Sequence, residues 1–319
     1  MTGSQQVRRL SFRVSLAWWE WVSAILSVAY IAAVAGLADA TDFKLLLFPE
    51  LGALAYDVLR RPHGLWARSP ILLIVTPFLA GLAGTAIAQV LPYGIFSVSL
   101  ALVAALLILR YLQSPIAPAI SAGILPLVLG VTSWWYPPAL LVGTVGLALL
   151  SSLMKRVAPQ PPPKQVAQDR LDDELEDLPR NRGWILFFAG FLGVALVLAV
   201  ATGSRMLLYP PLIVMAFEMF AHAEVCPWAK RPLLLPLGCA AISISALTSL
   251  SLLGPTPLGA ALSLTLAIAI IRLCDLHVPP LVAVGLLPFV INAPDYTFAV
   301  ATTVGTALLV GNFLLWSRR

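Results

Sequence analysis

Charge is what this sequence has least of. Only 11% of its 319 residues are Asp, Glu, Lys or Arg, against about 25% in soluble domains. Three stretches, Ser69–Leu109, Tyr111–Met154 and Pro232–Ile271, carry no charged side chain. Each is about twice the roughly 20 residues that cross a bilayer, so each is expected to hold two crossings. A water-soluble fold is excluded. Strict apolar–polar alternation is missing as well, which disfavours a β-barrel and leaves helices, the other structure that pairs its own backbone in lipid.

Cysteine and histidine are scarce too. Cys226, Cys239 and Cys274 are odd in number and lie in or near apolar segments, the pattern of buried thiols rather than a disulfide framework. His63, His222 and His277 are too scattered for haem or a metal centre. The chain has no Walker loop, no dinucleotide glycine fingerprint and no recognisable hydrolase serine. No cofactor, metal or nucleic-acid partner is expected, and the chain is read as not an enzyme. Arg8, Arg9 and Arg13 precede an apolar run, but Trp21–Ala38 is long enough to be a true span rather than a cleaved signal.

What the sequence does have is self-similarity. Arg110, Pro118, Gly123 and Pro126 recur 162 positions later as Arg272, Pro280, Gly285 and Pro288. Leu46-Leu-Phe-Pro49 is echoed by Leu207-Leu-Tyr-Pro210, Asp57 by Glu218, and Thr144-Val-Gly146 by Thr303-Val-Gly305. Arg, Pro and acidic residues are rare in apolar segments, so their alignment argues for a duplicated unit. The expected fold is an all-α membrane protein of two tandem parallel repeats, each with four full transmembrane helices and two short Pro/Gly-interrupted ones. Residues 1–154 form the first repeat with its N-terminal tail, 155–183 a charged, Pro-rich linker, and 184–319 the second repeat. Full spans are expected near 18–38, 70–90, 94–110 and 136–154, then near 184–202, 233–250, 257–273 and 296–316. The short segments lie near 43–60, 115–131, 206–221 and 278–291. One helix is expected in the linker near Gln165–Leu178.

Positive charge orients the chain. If every segment crosses, 18 of the 20 Lys and Arg fall on one side, leaving Lys44 and Arg205 opposite. If the short segments re-enter instead, nine of the twenty lie on the far side. The crossing arrangement puts both termini and the linker in the cytoplasm, with a bacterial inner or plasma membrane as the expected location. Trp18, Trp19, Trp21, Trp134, Trp135 and Tyr136 read as interfacial anchors.

Four short segments opening on proline are the functional pointers. A helix that starts partway through a membrane aims N–H groups and partial positive charge inward, and matched interrupted segments mark transport sites. Pro49, Glu50 and Gly52 begin the first, Ser114, Pro118, Ser121 and Gly123 the second, Tyr209 and Pro210 the third, His277, Pro280 and Gly285 the fourth. The same Pro and Gly residues also suit kinks and close packing. Asp57 with Arg110, and Glu218 with Arg272, form a matched ionisable set suited either to interhelical ion pairing or to a gate.

On Phe48-Pro-Glu-Leu-Gly-Ala53, Trp66-Ala-Arg-Ser-Pro70 and Leu276-His-Val-Pro-Pro280, the chain resembles the HPP family of integral membrane proteins. The resemblance implies a fused pair of family units, about 18–154 and 184–316. It also implies a small-anion substrate such as nitrite, since the family includes proteins implicated in nitrite transport. The expected function is therefore a channel or secondary transporter for a small solute, with a membrane scaffold as the alternative. Its expected partners are the lipid bilayer and the substrate, with a homo-oligomer left open.

Overall fold

The structure, a computed structural model, describes the backbone of residues 3–159, 163–179 and 182–317, and side chains from residue 18 onward except 160–165 and 180–181. The side chains of Arg8, Arg9, Arg13 and Lys164, and all of Arg180, Arg318 and Arg319, lie outside it. The first half comprises α1 (Gly3–Ala40), α2 (Glu50–Arg60), α3 (Leu65–Arg68), α4 (Pro70–Val90), α5 (Ile95–Tyr111), α6 (Ala119–Leu129) and α7 (Tyr136–Val157). The linker forms α8 (Pro163–Glu176). The second half comprises α9 (Ile185–Thr202), α10 (Pro210–Ala221), α11 (Pro227–Lys230), α12 (Leu234–Leu253), α13 (Pro257–Leu273), α14 (Pro279–Val284) and α15 (Tyr296–Ser317). A 3-10 turn precedes α2 and α10, and another follows α14. No strand occurs among the described residues.

Among the described residues, six helices are long and apolar enough to cross a membrane: Trp18–Ala40 of α1, α4, α7, α9, α12 and α15. Each is less than half buried within the protein, and the outward faces carry Leu149 and Leu153 on α7, Val194 and Val197 on α9, and Leu237 and Ile244 on α12. In water such faces would be adhesive patches; in lipid they are the solvent-matched surface. The fold is that of a multi-pass all-α membrane protein.

The expected full spans near 94–110 and 257–273 are a turn short. α5 and α13 have 17 residues each, about 25 Å at 1.5 Å per residue, against a hydrocarbon core of about 30 Å. Both are stopped at the same place by the same device. Gln113 and Asp275 turn left-handed at φ 50. Beyond them, the Ser114 amide donates to Leu109 O at 2.8 Å and the Leu276 amide to Ile271 O at 2.9 Å, the six-to-one bond of a Schellman cap.

The four short helices fill the centre. Every residue of α2 from Glu50 to Leu59 is buried, as are Ala119–Val128 of α6, Pro210–Phe220 of α10 and all six residues of α14. Packing across the halves is reciprocal: α1 lies on α13 and α9 on α5, while α2 lies on α14 and α10 on α6. Close approach depends on small residues. A Cβ on Gly84 of α4 would sit 1.9 Å from the Gly123 carbonyl oxygen of α6, and one on Gly305 of α15 would sit 2.1 Å from Leu207 O. Backbones meet there directly, as in small-residue membrane packing.

Candidate functional site

α2 is the element around which the polar residues collect. It starts because Pro49 cannot continue the ladder behind it and suits a helix start, and it is 11 residues long. Gly52 faces the other half: a Cβ there would meet Leu286 Cδ1 at 2.6 Å and Leu264 Cδ1 at 3.3 Å. Two cavities open at opposite ends of the interface that α1 and α2 share with α13 and α14. One, of about 670 Å³, is lined by Tyr56, Arg60, Asp172, Lys230, Arg272 and His277 among others. It lies on the face of the bundle that carries α8, the linker face. The other, of about 60 Å³, lies at the far face between Asp39, Asp42, Lys44, Leu47, Thr256 and Phe289. Leu286 packed on Gly52 is buried between them.

Glu50 stands two residues before Gly52, 1% exposed. Neither carboxyl oxygen has a hydrogen-bond partner among the described residues, and nor has the hydroxyl of Ser121. Ser121 and Tyr136 are its polar neighbours, and the Tyr136 hydroxyl is committed to Ala122 O at 3.0 Å. A buried carboxyl without a partner is costly, and inside a membrane such a residue is a functional candidate by default.

The amide donors expected at the short-helix starts are largely taken. Leu51 and Gly52 donate to Phe48 O and Pro49 O, Ala119 and Ile120 to Ile116 O and Ala117 O, Leu212 to Tyr209 O, and Leu281 to Val278 O. Tight turns satisfy these groups locally, so the side chains carry whatever binding the region does. Ser114 accepts from Thr76 at 2.7 Å. Tyr209 bonds Thr306 at 2.7 Å and Cys239 at 3.3 Å. Ser263 donates to Gly285 O at 2.5 Å. Gly123 is a packing position against α4. Pro118 is the cap of α6, and Pro210 and Pro280 lie in the first turns of α10 and α14.

The linker face holds the charges. Arg61, 3% exposed, grips Asp57 with two bonds of 2.8 and 2.9 Å. It also reaches Asp173 at 3.2 Å and Glu176 of α8, and Arg68 holds Asp173 from the other side at 2.6 Å. Burial alone would weaken the Arg61 proton, but Asp57, with Asp172 and Asp173 behind it, keeps it above its ordinary pKa. Asp57 is thus paired with Arg61, the C-cap of its own helix, which in turn holds α8, and not with Arg110, which is exposed. Glu218 likewise does not meet Arg272: its Oε2 is unpartnered, while Arg272 donates to Glu20 O at 2.9 Å and lies 5.8 Å from the Trp21 ring centroid.

His277 joins the two halves on this face. Arg60 lies 3.1 Å from its Nδ1, and an arginine only donates, so Nδ1 accepts and Nε2 carries the proton. Nε2 lies 3.6 Å from Asp57 and 3.6 Å from Asp172. Sequence reading missed Arg61, although its four-residue spacing from Asp57 is the helical ion-pair signature.

The fold and this arrangement define a class, a multi-pass membrane protein with a buried inter-half interface flanked by cavities. No family model, curated protein or solved structure matches the chain.

Proposed function

We propose that the protein is a channel or secondary transporter that passes a small solute between α2 and α14. The observation that carries this reading is the pair of cavities at opposite ends of one inter-half interface, separated by Leu286 on Gly52. The conformation is closed, and Leu286 is the gate. A small anion, nitrite first, fits the Arg60, Lys230, Arg272 and His277 side chains around the wider mouth. Glu50 is the group assigned to coupling, because a buried carboxyl two residues from the gate, with Ser121 and Tyr136 as its polar neighbours and no charged partner, can change its protonation as the path opens.

The halves are tandem copies of one unit in this proposal. Support comes from the shared order of elements, the paired left-handed caps at Gln113 and Asp275, and the reciprocal packing. The charge distribution supports a cytoplasmic linker face, and the HPP-like segments support the nitrite assignment. Reconstituted protein is expected to give saturable nitrite uptake into liposomes at alkaline pH, with Gly52→Leu, which fills the gate, abolishing it. Uptake no faster than in protein-free liposomes sinks the reading.

A scaffold without transport is the second reading, favoured by the buried docking of α8 through Arg61. It requires that removing α8 destroys function in cells while leaving flux unchanged.

A further inference from the structure

The cavity on the linker face gathers more positive charge than its carboxylates neutralise. Arg60 comes from α2, Lys230 from α11, Arg231 from the residue after it, and Arg272 from α13. Four cations from three regions of the chain therefore face one space of about 670 Å³. The Arg60 side chain has one partner among the described residues, the His277 ring nitrogen, which is a neutral acceptor. Arg272 has a backbone carbonyl and the Trp21 ring. The Lys230 ammonium has neither an ion pair nor a hydrogen bond among the described residues. Only Arg231 has a carboxylate, Asp275, and that contact is 3.8 Å long with Asp275 92% exposed.

The negative groups do not cancel this. Asp172 is 3% exposed and turned to His277. Glu20 lines the rim without an ion pair, and Asp169, one turn earlier on α8, stands beside Arg60 and Arg61. Asp57 is spent on Arg61. Arg60, Lys230 and Arg272 thus line one cavity without a direct ion pair among the described residues, and Glu20 and Asp172 in the same lining offset their charge only in part, so gathering them costs energy. A multivalent anion would remove that cost, and guanidinium groups match phosphate oxygens in a forked geometry.

The surroundings limit where such an anion comes from. Arg272 sits over Trp21, which is 66% exposed, and the neighbouring Leu273 is 87% exposed. An exposed tryptophan beside an exposed leucine marks the level at which a helix leaves the hydrocarbon. The cavity therefore opens at headgroup height.

We infer that this cavity binds a phosphate group, held by Arg60, Lys230 and Arg272. A phospholipid headgroup and a free phosphate share that chemistry. The assignment does not depend on transport, and its readout is binding rather than flux. Thermal unfolding of the purified full chain, followed by tryptophan fluorescence, is measured in three conditions. These are phosphatidylcholine nanodiscs, nanodiscs with added phosphatidylglycerol, and phosphatidylcholine nanodiscs with inorganic phosphate against chloride at equal ionic strength.

A binder of the native state raises the melting temperature in proportion to occupancy. A rise with phosphatidylglycerol alone supports the lipid form, and a rise with phosphate supports the soluble form. The dose needed is expected to increase about tenfold for each cation removed in Arg60→Gln, Lys230→Gln and Arg272→Gln. Arg156→Gln, outside the cavity, is expected to leave it unchanged. Lys230→Gln keeps the test sound should the arginine variants fold poorly, because Lys230 makes no contact the fold needs. No rise in either condition, or a rise that Lys230→Gln leaves at the same dose, overturns the inference.

Discussion

α2 and α10 occupy the same place in the two halves, yet their polar ends are furnished in opposite ways. At the start of α2 the Glu50 carboxyl has Ser121 nearby but no hydrogen-bond partner among the described residues, whereas at the start of α10 the Tyr209 hydroxyl is held by Thr306 and Cys239. At the other end the order reverses. Asp57 and Arg61 of the first half form a two-bond pair four residues apart, while Glu218 and His222, with the same spacing, each leave an oxygen or nitrogen unpartnered. The middle differs as well. Three residues after the starting proline, α2 has Gly52 and α10 has the fully buried Ile213. One helix is thin at its contact with the other half and flanked by cavities; the other is filled. Under the proposed function, α2 lines the path and α10 serves packing.

Arg61 offers the largest test of that contrast. Arg61→Gln strands Asp57 and Glu176 in buried positions, and breaking such a network costs about 3–5 kcal/mol. Thermal unfolding is expected to reveal the loss, and limited proteolysis to show cleavage at the freed α8. His222→Gln, its counterpart, is expected to cost far less. Equal losses would erase the distinction between the two helix ends.

At the starts of the helices the expected effects are smaller and of opposite sign. Tyr209→Phe removes the bonds to Thr306 and Cys239 and is expected to lower stability by about 1 kcal/mol. Glu50→Gln removes a buried carboxyl that nothing satisfies, so stability is expected to hold or rise. A marked fall for Glu50→Gln would mean that the carboxyl is paired and that its assignment to coupling is unfounded.

The smallest effect concerns pH. Burial holds the His222 pKa below its ordinary value, against the pull of Asp177 and Glu174. Because the folded value lies below the unfolded one, the neutral ring favours the fold. Its contribution is present above the ordinary histidine range, near pH 6.5, and is lost as pH falls through the lower folded value. His222→Gln is expected to flatten the fall in melting temperature on acidification; an unchanged slope would assign the fall to other groups.

Much of this was legible in the sequence. Absence of charge located the apolar segments, and proline placed the starts of α2, α6, α10 and α14 to within a residue or two. The linker helix was expected near Gln165–Leu178 and runs Pro163–Glu176. The ends of α5 and α13 were located, but not that both helices stop a turn short of a full span. What sequence could not supply was partnership across distance. Nothing along the chain indicates that Gly84 meets Gly123, that α8 folds back onto Arg61, or that Leu286 covers Gly52. Asp57 was paired with Arg110 because the two recur together, whereas its partner is four residues away on the same helix. Recurrence along the chain says nothing of proximity, which must be read from helical spacing.

In the proposed function solute passes between α2 and α14 and not between α10 and α6. Nitrite uptake by proteoliposomes containing Leu286→Ala or Ile213→Ala tests it most directly. Removing Leu286 thins the barrier over Gly52 and is expected to speed uptake severalfold, while Ile213→Ala leaves the rate per folded molecule at the wild-type level. Equal rates in the two variants, or faster uptake through Ile213→Ala, would contradict the account.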